Sequence, residues 1–349
     1  MHETDLHLDP NEASDLCRVF GPDELVRRGW ERAFVTVLDE ATAENAIALL
    51  AHAAGAPLDE GWTAVRIPAD AGVHNGKTED AEACASRDGH VYLVGSQFGK
   101  KRGPLNAKRS WIARVSEASI AKALDDGTPA ELEVVRMRFG LHRAINDVLK
   151  GIDLIPLGPL AQASYVDATI VKGESKSWNG RIRTTDHPVN IEAAEFNAEG
   201  RLLLGLRYPV TADGHPLIVE LENVDELFAG AVPRCGRVWV LNDVGSKEAP
   251  VGLRALDTRD GVEFDAIVGD LDAIGKSATV LADHPEGALA DSEHIRFELP
   301  AEAGPVGTKT LHHFGAIRRV EGVAVDHEGH AHYVIDEEGH VALRTLVFE

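Results

Sequence analysis

The chain is poor in aromatic residues, which make up 5% of its 349 positions, and poorer still in sulfur, with two methionines and three cysteines. Cys17, Cys84 and Cys235 are scattered and odd in number. That excludes a disulfide framework, and without a Cys-x-x-Cys pair it excludes a thiolate zinc cluster too. Free thiols fit a reducing compartment, so the expected location is the cytoplasm. There is no run of about eighteen apolar residues, so no membrane-spanning helix is expected. The start, Met1-His2-Glu3-Thr4-Asp5, is acidic where a secretory signal would be basic and then apolar. Basic residues are also in the minority, 35 Lys and Arg against 57 Asp and Glu, for a formal net charge of −22. Nonspecific nucleic-acid binding needs a basic face, so nucleic acid is not an expected partner. One basic patch, Lys100-Lys101-Arg102 with Lys108-Arg109, reads first as a solvated loop. Also missing are a Gly-x-Ser-x-Gly elbow, a phosphate-binding glycine loop ahead of a helix, and a His-Glu-x-x-His motif.

The chain does have a hydrophobic fraction of 44%, enough for a sizeable core, and a repeated hairpin. Val320-Glu321-Gly322-Val323-Ala324-Val325 leads through Glu328-Gly329 to His330-Ala331-His332-Tyr333-Val334-Ile335-Asp336. Two earlier stretches follow the same pattern. Ala81-Glu82-Ala83-Cys84 leads through Asp88-Gly89 to Val91–Ser96, and Ile191-Glu192-Ala193-Ala194 leads through Glu199-Gly200 to Leu202–Arg207. A weaker copy spans 251–269 and lacks the glutamate. Other expected strands are 33–40, 62–68, 110–115, 131–139, 217–221, 237–242, 277–282, 294–299 and 340–348. Residues 41–54 are alanine-rich with helical spacing and predict a short helix or an irregular outer element. Ser116 opens a predicted helix over 116–127, and 141–149 has helical spacing. Residues 151–189 predict a loop-rich stretch with one hairpin. Many short strands, acidic-Gly turns and a recurring hairpin predict an all-β fold of radial repeats, a β-propeller over 1–349. Six blades are expected, with five or seven as the alternatives, and a helix-containing insertion at 116–189. Terminal strands sharing one blade would close the ring and cover an open sheet edge.

The three hairpins, with Gly95-Ser96 and Gly99-Lys100 after the first and Leu204-Gly205-Leu206-Arg207 in the second, resemble a bacterial family catalogued as domain of unknown function 3616. More distantly they resemble the phytase-like esterase propellers. The resemblance covers residues 80–110, 188–210 and 318–340 and implies a propeller.

Antiparallel pairing returns the end of each second strand to the start of the first. Glu82 is therefore expected beside Ser96, Glu192 beside Arg207, and Glu321 beside Asp336. If the first strands are the inner ones, all converge on one mouth of the channel, where Asp39 and Glu40 would join them. Carboxylates crowded around an axis need a cation, a basic partner or raised pKa values. A hard divalent cation such as calcium suits oxygen ligands from separate strands, and Glu82, Glu192, Glu321 and Asp336 are the expected ligands. The same three glutamates, with His142 and His187 of the middle stretch, are the candidate catalytic acids and bases. Arg207, Lys101, Arg109 and Ser96 are the candidate substrate contacts. The expected function is hydrolysis, or a lyase-type reaction, of a small anionic or ester-like molecule. The alternative is a non-catalytic propeller that binds a small ligand or a protein partner, with Glu192 paired to Arg207 and the glutamates structural.

Overall fold

The blades are set by where the chain can turn. Asp88 and Gly89 both take positive φ (51° and 70°), the two-residue turn whose twist matches the strands it joins. Two other hairpins use a longer loop, closed the same way in both. Asn197 Oδ1 accepts the backbone N–H of Glu199 and Arg201 (3.0 and 2.9 Å), and Asp326 Oδ1 accepts those of Glu328 and His330 (both 2.9 Å). Each loop then passes through a left-handed glycine, Gly200 or Gly329.

The computed structural model describes residues 2–6, 8, 12–100, 102–272, 278–315, 317, 319–337 and 340–347; of 336, 337 and 340–342 it describes the backbone. Strand β1 (His2–Leu6) precedes a sheet of β2 (Ala13–Arg18), β3 (Trp30–Leu38), β4 (Ile47–Ala53) and β5 (Trp62–Arg66). A short β6 (Ala69–Asp70) joins the far edge of the next sheet, β7 (Ala81–Arg87), β8 (His90–Gly95), β9 (Trp111–Ser116) and β10 (Ala130–Arg136). The third sheet is β11 (Asn190–Phe196), β12 (Leu202–Tyr208), β13 (Leu217–Leu221) and β14 (Cys235–Leu241). Then come β15 (Gly252–Thr258), β16 (Glu263–Gly269) and β17 (Glu293–Glu298). After them β18 (Gly304–Val306) crosses back to pair in parallel with β14, and β19 (Lys309–His313) completes the fourth sheet beside β17. The last sheet is β20 (Val320–Val325), β21 (His330–Glu337) and β22 (His340–Val347). Strand β1 pairs antiparallel with β22, so the two ends of the chain share a sheet, as the edge argument requires.

The short β6 aside, in four sheets the first strand is the inner one, and in the last it is β20, at the opposite edge from β1. Strands β2, β7, β11, β15 and β20 each touch the next in that order, and β20 touches β2 again. This closed circuit of antiparallel sheets is the propeller arrangement. The described strands form five sheets, one fewer than the six expected. Of the stretch 116–189, β10 joins the second sheet beside β9, and the rest is helical or irregular. Neighbouring sheets pack through large buried side chains such as Trp111, Trp239, Phe34 and Phe264. Each contributes about 1.5–3 kcal/mol by leaving water.

Three other expectations are corrected. Residues 41–54 hold β4 rather than a helix, with a single 3₁₀ turn at Ala43–Asn45. The strand at 277–282 is a helical turn, Thr279–Asp283; residue 277 lies outside the described residues. The hairpin expected in 151–189 is absent among the described residues, where short helical turns run through Pro159–Gly173. Two predicted helices are present, Glu117–Asp126, capped by Ser116 Oγ on Ser119 N–H (3.1 Å), and Gly140–Leu149. The middle stretch folds over one end of the ring. Asp283 accepts the N–H groups of Leu160 and Ala161 (3.2 and 2.7 Å), and Phe98, Tyr165, Tyr208, Leu271 and Val280 share an apolar cluster there.

Candidate active site in the axial cavity

Near the start of each inner strand the pairing with its neighbour slips by one residue. In β7 it steps from Ala81 to Ala83, in β11 from Ile191 to Ala193, in β15 from Leu253 to Ala255 and in β20 from Val320 to Gly322. The residues stepped over are Glu82, Glu192, Arg254 and Glu321. A bulge leaves such a residue out of the ladder and re-aims its side chain. In β2 the slip falls one residue later, at Asp15, and Ser14 takes the equivalent place. Ser14, Glu82, Glu192, Arg254 and Glu321 all line one cavity of about 1120 Å³. The convergence of Glu82, Glu192 and Glu321 on one channel mouth is therefore present. Two other positions repeat with them: Asp80 and Asn190 stand two residues ahead of their glutamates, and Asp39 and Asp270 follow the ends of β3 and β16.

The cavity wall divides into two electrostatic halves. On one side the acids are neutralised. Arg207 Nη1 lies 2.7 Å from Glu192 Oε1, its Nη2 lies 2.8 Å from Asp270 Oδ1, and its Nε donates to the Asp270 carbonyl (3.1 Å). Arg254, also buried, forks onto Glu321, with Nε to Oε2 at 2.8 Å, and reaches Asp270 Oδ1 (2.9 Å) and Glu192 Oε2 (3.3 Å). Arg207 thus sits beside Glu192 as the pairing predicts. Its nitrogens, however, are committed to protein acceptors, so it holds the wall together rather than presenting a free fork to an anion.

The other side is acidic. One carboxylate oxygen each from Asp39, Asp80 and Glu82 lies within 4.8 Å of the others. Burial pushes Asp39 up to about 8, helped by the charge of Asp80. Burial also raises Asp80, to about 6, against the pull of Arg109, whose Nη1 lies 2.6 Å from Asp80 Oδ2. Glu82 is raised well above the carboxylate range by burial and then by Asp39 and Asp80. Its carboxylate accepts from Ser14 Oγ at 3.1 Å. Ser96, expected beside Glu82, instead donates its hydroxyl to Asp80. Carboxyls of this kind can keep a proton near neutrality and give it up to a reacting group, or release it to bind a cation.

Other sequence-predicted residues fall elsewhere. His142 lies in helix Gly140–Leu149, fully buried, and burial lowers it to about 4, so it stays neutral. His187 Nε2 faces the Ile155 carbonyl at 3.0 Å, and Asn146 ties its backbone to the same helix. Neither lines the cavity. Their contacts lie within the middle stretch itself, His142 with Asn146 of its own helix (3.3 Å) and His187 with Ile155 and Asn146, which corrects their placing as catalytic bases. Lys101 and the Asp336 side chain lie outside the described residues. Arg109 does line the cavity, bound to Asp80 and to the Gly99 carbonyl (3.2 Å). Arg254, Asp270 and Asp80 are the site residues the sequence reading passed over. Asp80 carried a signal, its fixed spacing ahead of Glu82.

A second group, Asp326, Glu328 and His330, also places three ligand atoms within 4.8 Å. It lies at the β20–β21 turn, where Arg32 Nη1 stands 2.8 Å from Asp326 Oδ2 and already supplies the counter-charge. No helix among the described residues is long and apolar enough to cross a membrane.

No family model matches the chain, and no curated protein matches it. Among solved structures, an exo-1,5-α-L-arabinanase from a bovine ruminal metagenomic library is similar at 11% identity and TM-score 0.44, over 97% of this chain and 94% of that one. The native arabinanase of Bacillus subtilis is similar at 10% identity and TM-score 0.44, over 98% and 96%. The WD40 β-propeller domain of Doa1 is similar at 8% identity and TM-score 0.35, over 99% and 96%.

Proposed function

We propose that the axial cavity is the active site of a hydrolase, or of an enzyme with related lyase-type chemistry, acting on a small ester-like molecule. Asp39, Asp80 and Glu82 would hold a divalent cation, for which calcium suits the all-oxygen donor set. The observation that carries this reading is the contrast within one wall. Glu192 and Glu321 are each gripped by a guanidinium, whereas one carboxylate oxygen each from Asp39, Asp80 and Glu82 lies within 4.8 Å of the others, with Arg109 on Asp80. A bound cation would supply Lewis-acid polarisation of a substrate or water oxygen. In this reading Ser14 orients Glu82 through its 3.1 Å hydrogen bond, and Arg109 holds Asp80 in place. Asp39, raised to about 8 by burial and the charge of Asp80, would give up its proton on binding the cation. Phe98, Tyr208, Leu271 and Val280 make the apolar side of the cavity and limit water there, while Lys100 and Arg102 at its edge suit an anionic substituent. The non-catalytic alternative draws support from the Arg207–Glu192 and Arg254–Glu321 pairs, and it expects neither a cation response nor turnover at the cavity of about 1120 Å³.

The test is a thermal-shift titration with calcium, magnesium and chelator, run beside hydrolysis of chromogenic ester, lactone and phosphoester substrates. A bound ion at a hundred times its Kd stabilises by about 2.7 kcal/mol. The shift and any activity should be present in the wild type and lost in Asp80→Asn and Glu82→Gln. An equal shift in those variants, or no shift and no turnover in the wild type, would reject the reading.

A further inference from the structure

A second concave surface lies away from the axis and carries the opposite charge. In a chain with a formal net charge of −22, a groove of about 520 Å³ is lined by Arg136, Arg138, Arg181 and His74, with no carboxylate among its lining residues. Its other wall is apolar, formed by Val134, Val135, Leu227 and Phe228. Four separate segments converge on it: β10, the 3₁₀ turn Gly72–His74, the middle stretch at 177–181, and helix Val224–Phe228.

The cations are positioned rather than loosely spread. Arg181 Nη1 donates to the carbonyls of Met137 and Arg138 (2.5 and 3.1 Å), and Arg138 Nη1 donates to Ser177 Oγ (3.0 Å). Arg138 and Phe139 are consecutive non-glycine residues at positive φ (48° and 68°), a costly backbone held by Ser110, whose Oγ accepts the Phe139 N–H at 2.8 Å. Among the described residues none of the three guanidiniums pairs with a carboxylate. Two buried nitrogens, Arg136 Nε and His74 Nδ1, have no hydrogen-bond partner. Burial and then the charge of Arg138 work against the charged form of Arg136, and burial, Arg136 and Lys77 work against that of His74. Like charges gathered with idle donors are relieved by an anion.

We propose that this groove binds a small organic phosphate, a phosphate monoester whose oxygens are taken by Arg136, Arg138 and Arg181 and whose apolar part lies on Val134, Val135, Leu227 and Phe228. The planar guanidinium fork matches phosphate geometry, and the apolar wall favours an ester over the free ion. Calorimetric titration of the full chain with phenyl phosphate and with inorganic phosphate tests this. Phenyl phosphate should bind saturably at near-physiological salt and more tightly than inorganic phosphate. Arg136→Gln and, separately, Arg138→Gln should each weaken it about tenfold or more. Arg138 is exposed, so its variant should fold normally, and the cation response of the axial cavity should be unchanged in both. Absence of saturable binding by the wild type, equal affinity for the two phosphates, or undiminished affinity in both variants would overturn the proposal.

Discussion

Arg254 and Glu82 occupy the same place in two inner strands, yet they should respond in opposite ways to losing their charge. Arg254 is buried among Glu192, Asp270 and Glu321 and contacts all three. Arg254→Met would take the guanidinium from buried Glu321, while Glu192 and Asp270 keep Arg207, a change that typically costs about 3–5 kcal/mol. Urea unfolding at neutral pH should show that loss. Glu82 faces Asp39 and Asp80, and its charged form is disfavoured by burial and by both neighbours. Glu82→Gln keeps the shape and removes the like charge, so with chelator present at pH 8 it should match or exceed the wild type in stability. A Glu82→Gln variant clearly less stable under those conditions would mean that the acidic corner is already balanced within the protein. The same pair of positions shows what the sequence could and could not reveal. Glu82, Glu192 and Glu321 were legible because each stands six or seven residues ahead of an acidic-Gly turn, at the start of the same hairpin. Arg254 read as a gap in the pattern, since an arginine at that place gains its meaning only from the glutamates of the two flanking sheets. Ser14 was hidden further, because the bulge in its strand falls one residue later.

At the scale of strands, the hairpins were legible where turn chemistry is local, as at Asp88-Gly89 and Glu199-Gly200. Strand β4 was not. Its run Ile47-Ala48-Leu49-Leu50-Ala51 is buried on both faces, so it shows no alternation, and periodicity cannot tell such a strand from a buried helix. Six blades, with five or seven as alternatives, were expected from counting repeat-like units along the chain. Only the pairing shows that β9 and β10 finish a sheet begun by β7. The closing strand was foreseen from the need to cover an edge, and it yields a direct expectation. β1 is mostly polar, but Leu6 and Leu8 are buried, and β1 covers the edge of β22. Removing residues 1–8 should cost about 3–6 kcal/mol, from two leucine side chains returned to water at about 1.5–3 kcal/mol each. It should also expose a strand edge that promotes association on heating. Differential scanning calorimetry with light scattering would report both; an unchanged Tm without aggregation would mean that β1 contributes nothing to closing the ring.

The whole molecule concentrates protonated carboxyls along its axis. Asp39 is raised to about 8 and Asp80 to about 6 at the cavity, while deeper along the inner strands Glu195 is raised to about 8 and Asp257 to about 6, burial leading in each case. In the unfolded chain the same groups titrate near 4. Between about pH 4 and 8 the folded state therefore binds more protons than the unfolded state, and stability must fall as pH rises through that window. His142 acts with the opposite sign. Its value falls from 6.5 to about 4 on burial, so its contribution is lost as pH drops below 6.5. The fall should accordingly be clearest from 6.5 to 8, where Asp39 and Glu195 still release protons, each costing at most about 1.4 kcal/mol per pH unit. Repulsion among surface acids at net charge −22 would give a slope of the same sign. That part disappears in about 1 M salt, where screening reaches within about 3 Å, whereas the buried part survives. With chelator and high salt, Tm should therefore still decline between pH 6.5 and 8. Saturating calcium should flatten only the part of this slope that belongs to Asp39, Asp80 and Glu82, because Glu195 and Asp257 lie outside the cavity wall. A flat or rising profile in high salt with chelator would contradict the buried-acid account, and loss of the whole slope in calcium would place the cation deeper in the channel than the three carboxylates at its mouth.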